Sequence, residues 1–123
     1  MTVEQDLTRA LSRWAVGSVL LGSALTVAPR TRGFGRQTAA WGAVDGAIAL
    51  VGSRRQAAGR TTEPRRLRRV LLVNAGLDVG YLALGARLVR SPRWRGDGQA
   101  VLVQGAFLLV LDLAGARGVT RAV

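Results

Sequence analysis

Four long apolar stretches, each flanked by arginines, alternate with polar connectors along this chain. They cover residues 14–29, 37–53, 70–86 and 98–116. Apolar residues lie nearly all round each predicted helix, whereas a helix of a soluble bundle keeps a polar face toward water. Each stretch is near the shortest length that spans a bilayer core, and flanking arginines can extend the span. The pattern therefore predicts an all-α polytopic membrane protein with four transmembrane helices; a soluble four-helix bundle is the alternative.

The polar N-terminal segment, MTVEQDLTRALSR, precedes the first apolar stretch. We interpret it as the start of an amphipathic helix at the membrane surface. The first stretch has a second interpretation, a cleaved signal peptide, because Arg9 and Arg13 precede an apolar run that ends in small residues. We expect it to be retained, since cleavage would remove half of a repeated unit.

That unit is an internal repeat of the chain. Residues 16–54 align without a gap with residues 79–117, and 15 of the 39 aligned pairs are identical. About four identities are expected by chance for this composition. Each copy contains an apolar stretch, a connector of the form PRxRGxG and a second apolar stretch, so the repeat predicts two tandem helical hairpins. A single domain, 1–123, then consists of repeat one (about 14–54), an arginine-rich linker (54–69) and repeat two (about 70–117).

Composition limits the chemistry that the chain can perform. All 18 basic residues are arginine, the net charge is +11, and the sequence contains no lysine, cysteine or histidine. Thiol nucleophiles, Schiff-base lysines and the commonest metal ligands are therefore missing. We expect no enzyme activity, no cofactor and no metal site.

The arginines also indicate an orientation, because cytoplasmic loops of membrane proteins carry more positive charge than the opposite side. Seven arginines fall in the two hairpin connectors: Arg30, Arg32, Arg36, Arg87, Arg90, Arg93 and Arg95. Eleven fall on the other side, which holds both termini and the linker: Arg9, Arg13, Arg54, Arg55, Arg60, Arg65, Arg66, Arg68, Arg69, Arg117 and Arg121. We therefore predict a multi-pass protein of the bacterial inner (plasma) membrane with both termini in the cytoplasm.

The predicted partners follow from the same charges. Arginines next to a membrane attract anionic lipid head groups, at about 1 kcal/mol each. Arg30, Arg32, Arg93 and Arg95 of the paired connectors are candidate head-group contacts, although Pro, Gly and Arg at a helix end need no further explanation. We expect no nucleic-acid partner, because the basic linker has no interleaved aromatic residues.

Polar residues inside the apolar stretches are the functional candidates. Asp45, Asp78 and Asp112 each lie within a predicted span, where an acid costs about 2.5–3.5 kcal/mol by insertion scales. Asn74, Asp78 and Tyr81 share one helix face. We predict an intramembrane polar centre with these members: Asp45, Asn74, Asp78, Tyr81, Gln104 and Asp112.

Small and aromatic residues have structural interpretations. Gly42 with Gly46, and Gly76 with Gly80, form GxxxG motifs that allow close helix contact, within a chain or between chains. Gly105 shares a helix face with Asp112 and is a further packing candidate. Trp14, Trp41 and Trp94 lie near the ends of apolar stretches, where interfacial anchors are common.

Three stretches resemble a family of small, uncharacterised bacterial membrane proteins with four helices. They are WGAVDGAIAL, VNAGLDVGYLALG and GDGQAVLVQGAFLLVLDLA, within residues 37–116. The matching positions are Trp41, Gly42, Asp45, Asn74, Gly76, Asp78, Tyr81, Gly98, Gln104, Gly105 and Asp112. The resemblance implies a four-helix membrane fold and no known activity.

Two functions remain from the sequence. The favoured one is a structural or accessory protein, in which polar residues and glycines hold helices to each other, to a second copy or to a partner membrane protein. The alternative is a small proton- or cation-coupled transporter or channel that uses the intramembrane aspartates, with Asp78 as the main carrier.

Overall fold

Four α-helices make up the computed structural model, which describes residues 2–122 and the side chains of residues 2–120. The helices are α1 (Val3–Leu25), α2 (Arg32–Ala57), α3 (Pro64–Leu88) and α4 (Arg95–Ala122). No strand occurs in this part of the chain, so the all-α, four-helix prediction is confirmed. The side chain of Arg121, counted above for orientation, lies outside the described residues.

Each helix is longer than the apolar stretch within it. The polar N-terminal segment is helical, as predicted, and it forms the first part of α1. Thr2 begins α1 with a capping box, in which its side chain accepts a hydrogen bond from the Gln5 backbone N–H and its own N–H binds the Gln5 side chain. A capped, uninterrupted helix continues from these polar residues into the apolar stretch.

The predicted arginine-rich linker is also mostly helical. Only residues 58–63 connect α2 with α3. Pro64 occupies the start of α3, and the Glu63 carboxylate accepts hydrogen bonds from the N–H groups of Arg65 and Arg66. All of the arginines predicted to lie in this linker except Arg60 therefore belong to α2 or α3, beyond the apolar parts of these helices.

The helices form two antiparallel hairpins, α1–α2 and α3–α4. α2 and α4 pack against each other between the hairpins, and α1 touches α4, whereas α2 and α3 stand apart. The two hairpin connectors make the same hydrogen bonds. Arg32 Nε donates to the Thr26 carbonyl at 3.2 Å, and Arg95 Nε donates to the Val89 carbonyl at 3.4 Å. Both arginines thus bind the C-terminal end of the preceding helix, in addition to any lipid that they contact.

Glycines set the close approach within each hairpin. A Cβ on Gly35 would lie 2.5 Å from the Gly22 carbonyl oxygen, and a Cβ on Gly98 would lie 2.8 Å from the Gly85 carbonyl oxygen. Gly42 packs in the same way against Ser18 and the α1 backbone. Backbones approach this closely only where no side chain intervenes.

Other glycines predicted to pack do so less closely or not within the chain. A Cβ on Gly105 would lie 3.3 Å from the Leu82 side chain, and a Cβ on Gly46 would meet only the Ala15 methyl, at 3.6 Å. Around Gly76 and Gly80 no heavy atom lies within 4 Å of an added Cβ. The GxxxG motif of α3 therefore faces outward, and the tightest crossings use glycines that no such motif identified.

Polar and small residues fill the interior, while large apolar residues cover the outside. The buried polar residues are Ser18, Thr38, Asp45, Asp78, Asp97, Gln104 and Asp112. Exposed large apolar residues occur on every helix, among them Leu20 (67 % exposed), Val51 (59 %), Val73 (60 %) and Val110 (68 %). This distribution is the reverse of that in a water-soluble bundle. Two helical segments, Pro64–Leu88 and Arg95–Thr120, are long and apolar enough to cross a membrane.

Candidate functional site

A cavity of about 240 Å³ lies between α2, α3 and α4, at the side of the bundle where α2 and α3 stand apart. It contains five of the six residues of the predicted polar centre. Its lining consists of Leu11, Trp41, Val44, Asp45, Ile48, Asn74, Leu77, Asp78, Tyr81, Leu108, Leu111 and Asp112. The tertiary structure thus brings polar residues from three helices together around one cavity.

The three acids are buried without a basic partner in the lining. Asp45 is 1 % exposed, Asp78 is 3 % exposed and Asp112 is 8 % exposed. One carboxylate oxygen of Asp45 and one of Asp78 are buried without a hydrogen-bond partner. Buried polar atoms are nearly always paired in proteins, so an unpaired carboxylate oxygen beside a cavity marks a place for a proton, a water or a cation.

Asp78 and Asp112 line the cavity from the adjacent helices α3 and α4. Neighbouring carboxylates repel each other when both are charged, and a proton or a cation between them removes the repulsion. Asp45 is on the opposite wall, and the acids of the described residues do not form a set of three with metal-ligand geometry. The arrangement suits proton exchange and the binding of a cation that contacts both walls.

Aromatic rings form one end of the cavity. The rings of Trp41 and Tyr81 meet edge to face, with centroids 5.2 Å apart and an interplanar angle of 68°. Trp41, which was predicted to be an interfacial anchor, lies beside the acids of the cavity on α2. The electron-rich ring faces of Trp and Tyr attract cations. The cavity therefore offers carboxylates and aromatic rings within one small volume.

Gln104 takes part in a different network from the rest of the predicted polar centre. Its side-chain oxygen accepts a hydrogen bond from Trp14 Nε1 at 2.8 Å, and its Nε2 donates to Ser18 Oγ at 3.3 Å. Trp14 also stacks on Phe107, with ring centroids 3.9 Å apart. These contacts join α1 to α4. Trp14 is thus a packing residue of the interior, whereas Trp94, 39 % exposed in the second connector, keeps a position suited to an anchor.

We predict that Gln104→Leu weakens the α1–α4 contact. The substitution puts an apolar side chain of similar size in place of the amide and leaves the Trp14 indole N–H and the Ser18 hydroxyl without these partners, at a cost of about 2 kcal/mol. Equilibrium unfolding in detergent measures the loss. The matched control is Gln99→Leu, at an exposed position of the same helix. Equal stability of the two variants contradicts a structural role for Gln104.

The two sides of the bundle are related by the internal repeat, yet they differ. Residue n of repeat one corresponds to n + 63 in repeat two, since residue 16 aligns with 79. The α1–α4 side is closed by an aromatic stack and hydrogen bonds, whereas the α2–α3 side is open. The corresponding residues are Trp14 and Leu77, Phe107 and Val44, Gln104 and Trp41, and Ser18 and Tyr81. Because the corresponding side chains differ between the two copies, one side of the bundle is closed and the other contains a cavity.

Asp97 is a buried acid that the sequence pattern did not single out. Its side chain is 4 % exposed, and its Oδ1 accepts a hydrogen bond from Arg36 Nη2 at 2.8 Å. It lies where the first turn of α4 meets the first turn of α2, with its other oxygen 2.9 Å from a Cβ placed on Gly33. The signal in the sequence that could have identified Asp97 is an acid at the start of a helix, where the connectors before α2 and α4 are rich in arginine. Its ion pair is the only one within the described residues, and the cavity acids take no part in it.

Comparison with known proteins gives one match. A protein-family model matches residues 10–113, and its description is a family of unknown function (DUF6992). The match confirms the resemblance to a family without known activity and extends it toward the N-terminus. No curated protein and no solved structure matches this chain.

Proposed function

The chain belongs to this family of unknown function, so membership brings no activity with it, and we propose a small multi-pass membrane protein that carries protons or cations at the α2–α3 cavity. All four helices cross the bilayer in this proposal, with both termini on the cytoplasmic side of a bacterial inner membrane. The helices have 23 to 28 residues. At 1.5 Å per residue the shortest is roughly 35 Å long, enough for a hydrocarbon core of about 30 Å.

The distribution of side chains supports the membrane location. Exposed valines and leucines occur on all four helices, and four aspartates lie inside: Asp45, Asp78, Asp97 and Asp112. In water such a surface would favour aggregation, whereas in lipid it needs no further burial. The arginines beyond the apolar parts of the helices lie where anionic lipid head groups would meet them.

The main support for this function is that two carboxylate oxygens beside the cavity have no hydrogen-bond partner, one on Asp45 and one on Asp78. If the intramembrane acids had a purely structural role, their carboxylate oxygens would be expected to form hydrogen bonds between helices. Here Gln104, Trp14 and Ser18 perform that role on the other side of the bundle. The cavity acids retain free oxygens, so the geometry favours the carrier function over the structural one that the sequence favoured.

Proton flux into liposomes tests this proposal. We expect purified protein to dissipate an imposed pH gradient faster than protein-free liposomes do, and Asp78→Asn to reduce the flux to the protein-free level. Asparagine keeps the size and hydrogen bonding of the side chain but cannot release a proton. The matched control is Asp6→Asn, which removes an acid from the exposed first turn of α1; its flux should equal that of the wild type.

Two results would contradict the proposal. One is full flux in Asp78→Asn and in Asp45→Asn, since neither carboxyl is then required. The other is wild-type flux at the protein-free level, both with and without an added organic cation. Far-UV circular dichroism of each variant establishes that its helices are intact, because the loss of a buried polar group lowers stability as well as activity.

The outward GxxxG face of α3 favours a second role, contact with another membrane helix. Gly76 and Gly80 have open space around them, next to the exposed side chains of Val73 and Leu77. Small residues at this spacing allow close packing of helices in lipid. A second copy of this chain or a partner membrane protein is the proposed occupant, in the accessory function that the sequence indicated.

A further inference from the structure

The cavity opens sideways, through the gap between α2 and α3. Val44, Ile48 and Leu77 line it and are also 51 %, 57 % and 55 % exposed on the outside of the bundle. All three lie near the middle of their helices. In a four-span arrangement this opening faces hydrocarbon and not either aqueous surface. A molecule that enters here has to be soluble in hydrocarbon.

The inside of the cavity favours a positive charge. Its lining contains three acids and no basic residue, and unpaired oxygens are present on both the α2 wall and the α3 wall. In a site of low dielectric constant, an uncompensated carboxylate is costly and a bound cation compensates it strongly. A cation inside this cavity compensates the charges of Asp45 and Asp78, which line it from α2 and α3.

The remaining lining suits an apolar body attached to that charge. Trp41 and Tyr81 provide aromatic rings, and Leu108 and Leu111 provide apolar contacts on α4. Cation–π attraction to Trp and Tyr is strongest for desolvated organic cations. The volume of about 240 Å³ is below the range of about 300–1,000 Å³ that accommodates drug-sized ligands. The geometry therefore selects a small cation with about one ring.

Other cations fit less well. A hydrated inorganic ion loses its water when it crosses an apolar opening and needs several oxygen ligands in return, yet the acids of the described residues form no metal-ligand set. The amine of a lipid head group is held at the bilayer surface, whereas the opening lies at mid-helix. A free lipophilic ammonium ion meets both the apolar opening and the acidic interior.

We propose that this cavity binds a small lipophilic ammonium ion, which enters from the bilayer between α2 and α3. The inference rests on the proposed carrier function and names the class of its cation. Asp45 and Asp78 hold the charge from opposite walls, and the rings of Trp41 and Tyr81 contact the ammonium group and its apolar substituent.

Equilibrium dialysis of the full chain in detergent micelles, against radiolabelled benzyltrimethylammonium, tests the inference. This probe has one ring and a permanent positive charge. We expect saturable binding that is at least about tenfold weaker in Asp78→Asn and in Asp45→Asn, and about threefold to tenfold weaker in Trp41→Leu, from the loss of charge pairing and of cation–π attraction. Asp6→Asn serves as the control and should bind like the wild type.

An uncharged competitor distinguishes a charge-selective site from a site that binds any apolar molecule. Neopentylbenzene has the shape of the probe without its charge, and we expect it not to displace the probe at equal concentration. Displacement by neopentylbenzene, or equal binding by wild type and both aspartate variants, overturns the inference. Asp45→Asn decides the result where Asp78→Asn fails to fold.

The outcomes for this inference and for the proposed function are distinct. Proton flux that depends on Asp78, together with no binding of benzyltrimethylammonium, leaves the carrier function standing and overturns the ammonium assignment. Binding that depends on both aspartates supports the assignment whatever the proton flux. If neither proton flux nor binding of benzyltrimethylammonium is observed, both the carrier function and the ammonium assignment are overturned.

Discussion

Gly35→Ala is expected to destabilise the first hairpin more than alanine at any other glycine of α2. The new Cβ would lie 2.5 Å from the Gly22 carbonyl oxygen and 2.8 Å from the Thr26 nitrogen. These are backbone atoms, so relief requires α1 and α2 to move apart over the whole crossing. Overpacking of this kind costs about 3 kcal/mol, and equilibrium unfolding in detergent, followed by circular dichroism, measures it.

Gly17→Ala is the matched control for that loss. Gly17 lies inside α1, in the same hairpin, with no heavy atom within 4 Å of an added Cβ. Alanine is the better helix former, so the variant should be unchanged or more stable by about 0.5–1 kcal/mol. A stable Gly35→Ala variant contradicts the close α1–α2 crossing.

Breaking the Arg36–Asp97 ion pair should also lower stability, and the loss should depend on which partner is removed. Arg36→Gln leaves the Asp97 carboxylate charged and buried at the start of α4, and we expect a cost of about 2 kcal/mol. Asp97→Asn leaves an exposed arginine that water solvates, so this cost should be smaller. The side chains are 57 % and 4 % exposed, respectively, which is the source of the asymmetry.

A double-mutant cycle measures the pair itself. We expect the Arg36→Gln/Asp97→Asn variant to lose less stability than the sum of the two single variants, with a coupling free energy of about 1–2 kcal/mol. Arg30→Gln, at an exposed position of the first connector, controls for a general effect of removing one positive charge. Additive losses would mean that the two side chains do not interact in solution.

The helices and their order were predictable because apolar residues continue over whole stretches and arginines flank them. The helix ends were not. Residues 54–69 are polar, and sequence alone placed them in a linker, whereas α2 and α3 include all but residues 58–63. Helix caps at Thr2 and Glu63 extend helices into polar sequence, because a satisfied helix start is stable without apolar side chains.

The candidate site was predicted in part. Asp45, Asn74, Asp78, Tyr81 and Asp112 line one cavity, as the shared faces of their helices indicated. Gln104 does not line it, because its neighbour across the interface is Trp14 and not a carboxylate. Which helices are neighbours decides such contacts, and hydrophobic periodicity within one helix carries no information on it.

The glycines show the same division. Five of the repeated glycines make the tight contacts within the hairpins, at positions 22, 35, 42, 85 and 98. Repetition between the copies marked them as constrained, whereas the GxxxG rule identified only Gly42 of this set and also pointed to Gly46, Gly76 and Gly80. That rule describes spacing along one helix, and a tight crossing needs small residues on two helices at the same depth.

Local patterns and identities along the chain are enough to establish four helices, a repeated hairpin, acids within apolar stretches and membership of a family of unknown function. The difference between the two sides of the bundle arises only from the packing of the helices. One side is closed by Trp14, Phe107 and Gln104, while the other contains a cavity with unpaired carboxylate oxygens. Two copies of one hairpin predict that the α1–α4 side and the α2–α3 side are alike. They differ because a few corresponding side chains differ in size, and close packing across an interface depends on both partners together.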